Sequence, residues 1–190
     1  MKKLKILIVL LGILVFVISF IIGLKFFYMK YRKNKQLKIA NEIINSNYQN
    51  EIEMITNEEL ELNKNIIGIL EIPEIELIAP VKEGTSEKIL KEAIGHFSES
   101  SYWNGNVALA SHNRSRYVHY FENINKLQTG NEIIYKTKFG TRKYEVYESN
   151  IISETDWSVI ENTGENIITL ITCIKNVPES RLCVRAREVL

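Results

Sequence analysis

The sequence is poor in cysteine: 190 residues carry only Cys173 and Cys183. Two thiols cannot build the disulfide framework of a small secreted scaffold. There is no C-x-x-C pair and no Cys/His cluster at zinc-like spacing, which argues against a structural metal. An excess of charge is also missing. Twenty-four Lys and Arg face twenty-three Asp and Glu, for a net charge of +1. With no basic stripe interleaved with aromatics, nucleic acid is not an expected partner. Internal repeats and low-complexity segments are absent too.

One long stretch lacks charge altogether, from Ile6 to Leu24, after the basic start Met1-Lys2-Lys3-Leu4-Lys5. At 1.5 Å per residue it reaches about 28 Å, close to the hydrocarbon thickness of a bilayer. Lys25 follows directly, with no Ala-x-Ala-like cleavage site, so residues 6–24 read as an uncleaved single-pass anchor rather than a cleaved signal peptide. Orientation is contested. Lys2, Lys3 and Lys5 precede the span, whereas Lys25, Lys30, Arg32, Lys33, Lys35 and Lys38 follow it. By the positive-inside rule alone, the C-terminal side would be cytoplasmic. Residues 25–63 form a polar juxtamembrane linker. Ile39, Ile43 and Ile44 at helical spacing, and Thr56-x-x-Glu59 as a capping box, suggest a helical stalk; a flexible spacer is the other reading.

From residue 64 to 190 the pattern is that of one domain built mainly of strands. Ile66–Pro73 and Glu74–Val81 read as strands, and Glu87–Ile94 as a short helix with Ile89, Leu90, Ala93 and Ile94 on one face, ended by Gly95. Asn106–His112 is a further strand. Tyr117–Leu127 is a short helix or turn. Glu132–Thr137 and Arg142–Ser149 form a hairpin, with Ile151-Ile152 as a bridging strand. Ser158-x-x-Glu161 suggests a capped helical turn. Ile167–Cys173 is β-branched at five of its first six positions and reads as a buried strand. Lys175, Asn176 and Pro178 break it before Arg181–Ala186 resumes the alternation. Seven or eight short strands with one or two short helices fit a closed barrel or a sandwich.

Two of these strands end in reactive side chains, Ser111-His112 and Thr172-Cys173, and Arg181 begins a third. A thiol attacks carbonyls as thiolate and needs a base or a nearby cation. Histidine supplies the base near neutral pH. Arginine supplies a permanently charged fork for an oxyanion. Such a trio suffices for acyl transfer through a thioester, whereas a buried structural thiol is the plain alternative for Cys173.

The residues also resemble a known family. Thr169-Leu170-Ile171-Thr172-Cys173, with Arg181 eight positions on, is similar to the TLxTC…R signature of sortases. Ile67–Ile75, Ala79–Thr85, Gly95-His96-Phe97 and Asn106–His112 precede it in the family's usual order. The resemblance implies a closed eight-stranded β-barrel behind an N-terminal membrane helix. It also implies a cysteine transpeptidase on the outer face of the cell membrane of a Gram-positive bacterium. In that reading Cys173 is the nucleophile, His112 the acid and base, and Arg181 the oxyanion and substrate-positioning residue. Thr172 and Cys183 would help bind substrate. The implied substrates are secreted proteins with C-terminal LPxTG-like signals, cut between Thr and Gly. The implied acceptors are amines of a peptidoglycan precursor or a pilin. An extracellular catalytic domain contradicts the simple Lys and Arg count, and the family reading is preferred. A membrane-anchored cysteine peptidase of another fold, hydrolysing only, is the alternative.

Other residues compete for these roles. His96 follows a glycine and suits a structural or surface role. His119 is second as base, and Arg185 second as the arginine, since it alternates with Arg181 at period two. Asp156 suits a helix cap. No cofactor is expected. Some class A members of the family use calcium, and Glu132, Glu145, Glu148 and Asp156 are available, but no ordered oxygen-ligand loop is visible. The short segment after Cys173, the lack of an inserted helix before it and the lack of a hydrophobic segment at the C-terminal end resemble class D or class A.

Overall fold

The computed structural model describes residues 2–45 and 66–189. It divides into two compact units, residues 1–35 and 36–190. The described residues of the first all belong to helix α1 (Lys2–Asn45), which runs without a break past Leu24. Within it, Leu11–Tyr31 has a mean hydropathy of 2.3 and is long and apolar enough to cross a membrane. The helical reading of the early linker thus extends to Asn45. The proposed box Thr56-x-x-Glu59 lies outside the described residues.

The second unit holds a closed eight-stranded barrel: β1 (Ile66–Ile72), β2 (Leu77–Glu83), β3 (Ile94–His96), β4 (Asn106–Ala110), β5 (Glu132–Thr137), β6 (Gly140–Ser153), β7 (Ile167–Ile174) and β8 (Val177–Glu188). Around the barrel they run β1-β2-β3-β4-β7-β8-β6-β5, and β1 closes on β5. Two neighbouring pairs are parallel, β2 with β3 and β4 with β7. A closed sheet leaves no edge to recruit another chain. Leu70, Ile94, Leu109, Ile133, Tyr135, Ile168, Leu170 and Val184 fill the interior. Each fully buried aliphatic there contributes roughly 1.5–3 kcal/mol.

The structure moves several of the sequence boundaries. Pro73 opens a 3₁₀ turn, Pro73–Ile75, and Glu76 takes a left-handed φ of 51°. That turn delays the second strand from Glu74 to Leu77. The short helix α2 covers only Glu87–Leu90, not Glu87–Ile94. Ile94 and Gly95 are instead claimed by pairing with Val81 and Lys82. A Cβ on Gly95 would stand 2.6 Å from the Gly84 carbonyl. The glycine therefore permits a close strand approach and does not terminate a helix. Ile151 and Ile152 are no separate strand but the continuation of the long β6, whose Ile151–Ser153 segment pairs with β8.

Candidate active site

Side chains alternate across a strand, so β7 and β8 each have an inner and an outer face. Leu170, Val184 and Leu182 turn inward with the main core. Ile171 and Cys183 belong to a second, smaller cluster with Ala108 and Ile160, packed by Phe97, Ile152 and Val159. By the same alternation, Cys173 and Arg181 lie on this outer face. Cys173 is exposed at the rim, one residue before the end of β7. Arg181 is its direct cross-strand partner. Directly opposite antiparallel residues hold their Cβ atoms about 4.5–5.5 Å apart. Arg185 pairs instead with Thr169, four positions along the strand, or about 13 Å away.

The guanidinium of Arg181 is held in place. Its Nη2 bonds Glu154 at 2.7 Å, and its Nη1 donates to the carbonyls of Pro178 at 2.6 Å and Ser180 at 2.9 Å. The register of β8 slips between Cys173 and Ile174, and the carbonyls of Pro178 and Ser180 lie in this extra stretch. The hairpin tip itself needs only Lys175 and Asn176, and Asn176 takes the left-handed φ of 61°. Pro178 lies inside β8, so it does not break the strand as expected.

His112 reaches the same rim from the parallel neighbour. Ala110 pairs with Ile171, so continued register sets His112 beside Cys173. Three bonds maintain that register beyond the strand end: Ser111 N to the Ile171 carbonyl at 3.4 Å, Thr172 Oγ1 to the Ser111 carbonyl at 2.7 Å, and Asn113 Nδ2 to the Cys173 carbonyl at 3.0 Å. Phe121 N donates to the carbonyl of His112 itself at 3.3 Å. Glu87 on α2 also senses His112. Lys91 chiefly holds the Glu87 carboxyl below its usual range, by hydrogen bond and charge, and the His112 charge adds to this.

Thr172 is 2% exposed and spends its hydroxyl on the Ser111 carbonyl. It aligns the two strand ends from within the barrel. Cys183 is likewise buried, and that burial pushes its thiol up to about 12, against the pull of Arg185. It forms the floor of the outer face beneath Ile160 and is not bonded to Cys173.

The competing residues are engaged elsewhere. His96 is fully buried, with Nδ1 at 2.9 Å from Glu83 and Nε2 at 3.1 Å from the Ser101 carbonyl. His119 pairs with Glu122 at the surface. Asp156 caps the 3₁₀ turn Trp157–Ile160, accepting from Ser158 N and Ser158 Oγ. The cap is thus Asp156, and the expected Ser158-x-x-Glu161 pairing gives way to it. Glu132 pairs with Lys143, and Glu148 faces Arg185 and Asn150. Among the described residues, no group of three or more His, Cys, Asp or Glu side chains is gathered to hold a metal ion.

One contributor escaped the sequence reading. Asn106 is fully buried, and its amide donates to the carbonyls of Val159 at 2.8 Å and Glu161 at 2.9 Å. Its oxygen accepts from Thr169 Oγ1 at 2.8 Å. It ties the Trp157–Ile160 turn, the wall of the outer face, to β4 and β7. A lone polar residue opening an apolar strand was the available hint.

Comparisons with known proteins agree with this architecture. The model of the sortase domain matches residues 70–189. Sortase A of Bacillus anthracis is 31% identical over 128 residues, covering 67% of this chain and 61% of that protein. Sortase D of Bacillus subtilis (strain 168) is 32% identical over 110 residues, covering 56% and 53%. The chain therefore spans little more than half the length of these relatives. A solved structure of a Clostridium perfringens sortase D5 transpeptidase superposes with a TM-score of 0.67 at 30% identity, covering 84% of this chain and 99% of that one. A family model that covers the barrel from β1 onward, and relatives that share its sequence, lead to one conclusion: the chain belongs to the sortase family.

Proposed function

We propose that this chain is a membrane-anchored cysteine transpeptidase acting on LPxTG-like sorting signals. The observation that carries the reading is the pairing of an exposed Cys173 with Arg181 across one barrel rim, with His112 on the adjacent strand end. The sorting peptide lies on the outer face of β7 and β8, between Cys183 and the Trp157–Ile160 wall. The Cys173 thiolate attacks the carbonyl carbon of the Thr–Gly bond, and a C–S bond forms. Arg181 donates to the oxyanion. The C–N bond then breaks, and protonated His112 gives its proton to the departing glycine amine. The acyl fragment remains on sulfur as a thioester. A second amine attacks that carbonyl, neutral His112 takes its proton, and sulfur leaves as thiolate. Peptidoglycan-precursor and pilin amines are the acceptors of this reading; no cofactor or calcium takes part.

In this reading the apolar span of α1 serves as a single-pass anchor, and secreted substrates require the barrel outside. The excess of Lys and Arg after the span opposes that orientation, so protease accessibility in intact cells is the direct check. For activity, fluorogenic LPxTG-like peptides offered with and without an added amine test the reading. Amine-dependent ligation with a thioester on Cys173 supports it. Cleavage that ignores the amine would reduce the protein to a peptidase. Processing that survives Cys173→Ala would remove the thiol from the mechanism.

A further inference from the structure

A cleft of about 460 Å³ opens at the same rim, lined among others by Asn113 and Ile174, the residues that immediately follow His112 and Cys173. By alternation, Ile174 turns to the face opposite Cys173. The cleft therefore lies across the rim from the outer face assigned to the sorting peptide. Its charge is lopsided. Arg114, Lys126 and Lys175 line it, against the single carboxylate of Glu122, which is already engaged by His119 at 3.2 Å. Among the described residues, none of the three cations forms an ion pair with a carboxylate. Unpaired like charges around one concavity repel each other and lower the cost of binding an anion.

We infer that this cleft receives the acceptor substrate, and that the acceptor is an amine carrying an anionic group. The inference rests on the transpeptidase reading and deepens it. With the anion among Arg114, Lys126 and Lys175, an amine two or three residues away reaches over the rim, since each extended residue spans about 3.3 Å. It arrives on the His112 side of the thioester, where its proton has to go. The basic lining then selects among amines by what they carry at their far end, a choice the sorting-peptide face does not make.

The test uses the full chain in detergent micelles and three probes: diglycyl-alanine with a free carboxylate, its carboxamide, and a diglycyl amine ending in a phosphate monoester. Calorimetric titration measures their binding directly. Ligation to a preformed Cys173 thioester measures their relative use. The two anionic probes should bind and ligate about tenfold better than the carboxamide, with the preference shrinking in high salt. Which of the two is better identifies the anion. In Lys126→Gln/Lys175→Gln, and separately in Arg114→Gln, the preference should fall severalfold while the melting temperature holds. Equal binding of acid and amide, or a preference that survives these substitutions, overturns the inference. Failure to form any thioester would instead overturn the transpeptidase reading, and calorimetry would still decide the cleft.

Discussion

Arg181 faces Cys173 across the β7–β8 ladder, yet its guanidinium is bonded to Glu154 at 2.7 Å. Glu154 is tied in turn to the same stretch of β8, its amide donating to the Glu179 carbonyl at 2.9 Å. The fork is thus aimed by a carboxylate and two carbonyls before any substrate arrives. Arg181→Ala should lower turnover of a sorting peptide by roughly 10²–10³, the scale of one lost oxyanion donor. Glu154→Gln removes the charge from one of three acceptors while keeping an oxygen to accept, and should cost less than about tenfold. A near-normal Arg181→Ala would deny Arg181 the oxyanion role.

The two thiols should separate cleanly in reactivity. Iodoacetamide at neutral pH should add one label to the native chain, at Cys173, and a second only after unfolding in denaturant. Mass spectrometry of the digested adducts reads this. Two labels on the native chain would mean that the cover of Cys183 by Ile160 opens readily.

The buried thiol also predicts a pH dependence. Burial raises Cys183 from an ordinary value of 9.0 to about 12, and Tyr144 from 10.0 to about 12. Below pH 9 the thiol is neutral in folded and unfolded chains alike, and its contribution is fully present. As pH rises toward 12, the unfolded chain releases the proton first, so stability falls. The slope of the urea midpoint against pH in this window should be shallower in Cys183→Ala, though not flat, because the buried tyrosines remain. An unchanged slope would show that the thiol is not insulated.

Thr172→Val keeps the shape of the side chain and removes its bond to the Ser111 carbonyl. Leaving that acceptor unmatched should cost about 1–3 kcal/mol in chemical denaturation. Turnover of the folded fraction should fall as well, because this bond sets the alignment of His112 with Cys173. Full activity with lowered stability would confine Thr172 to packing.

Asn106→Ala should act on a different parameter. It frees the Trp157–Ile160 wall from β4, so the KM for the sorting peptide should rise severalfold, with kcat changing less. An equal fall in kcat alone would place the effect at Cys173 and not at the wall.

Much of this was legible in the sequence because it rested on periodicity. Ile167–Cys173 announced a buried strand and Arg181–Ala186 an alternating one after it, while the shared face of Cys173 and Arg181 came from the β7–β8 register. The boundaries at Pro73 and Gly95 were not legible. Each depended on a partner: a left-handed Glu76 delayed β2, and a parallel approach of β2 drew Gly95 into the sheet. The role of Asn106 was hidden for the same reason. Its three partners lie more than 50 positions away, and nothing local marks a side chain that bridges a strand to a distant turn. Asp156 against Ser158 as the cap was a choice between two adjacent candidates that only hydrogen-bond geometry resolves.

The parallel pairing of β4 with β7 has a consequence for how the chain comes alive. Such partners cannot be joined by a tight hairpin, and the loop between His112 and Cys173 has to close before either gains the other. A chain in which β4 and β7 have not yet paired therefore holds His112 and Cys173 apart. The rim that carries both side chains is thus assembled only when that long loop closes.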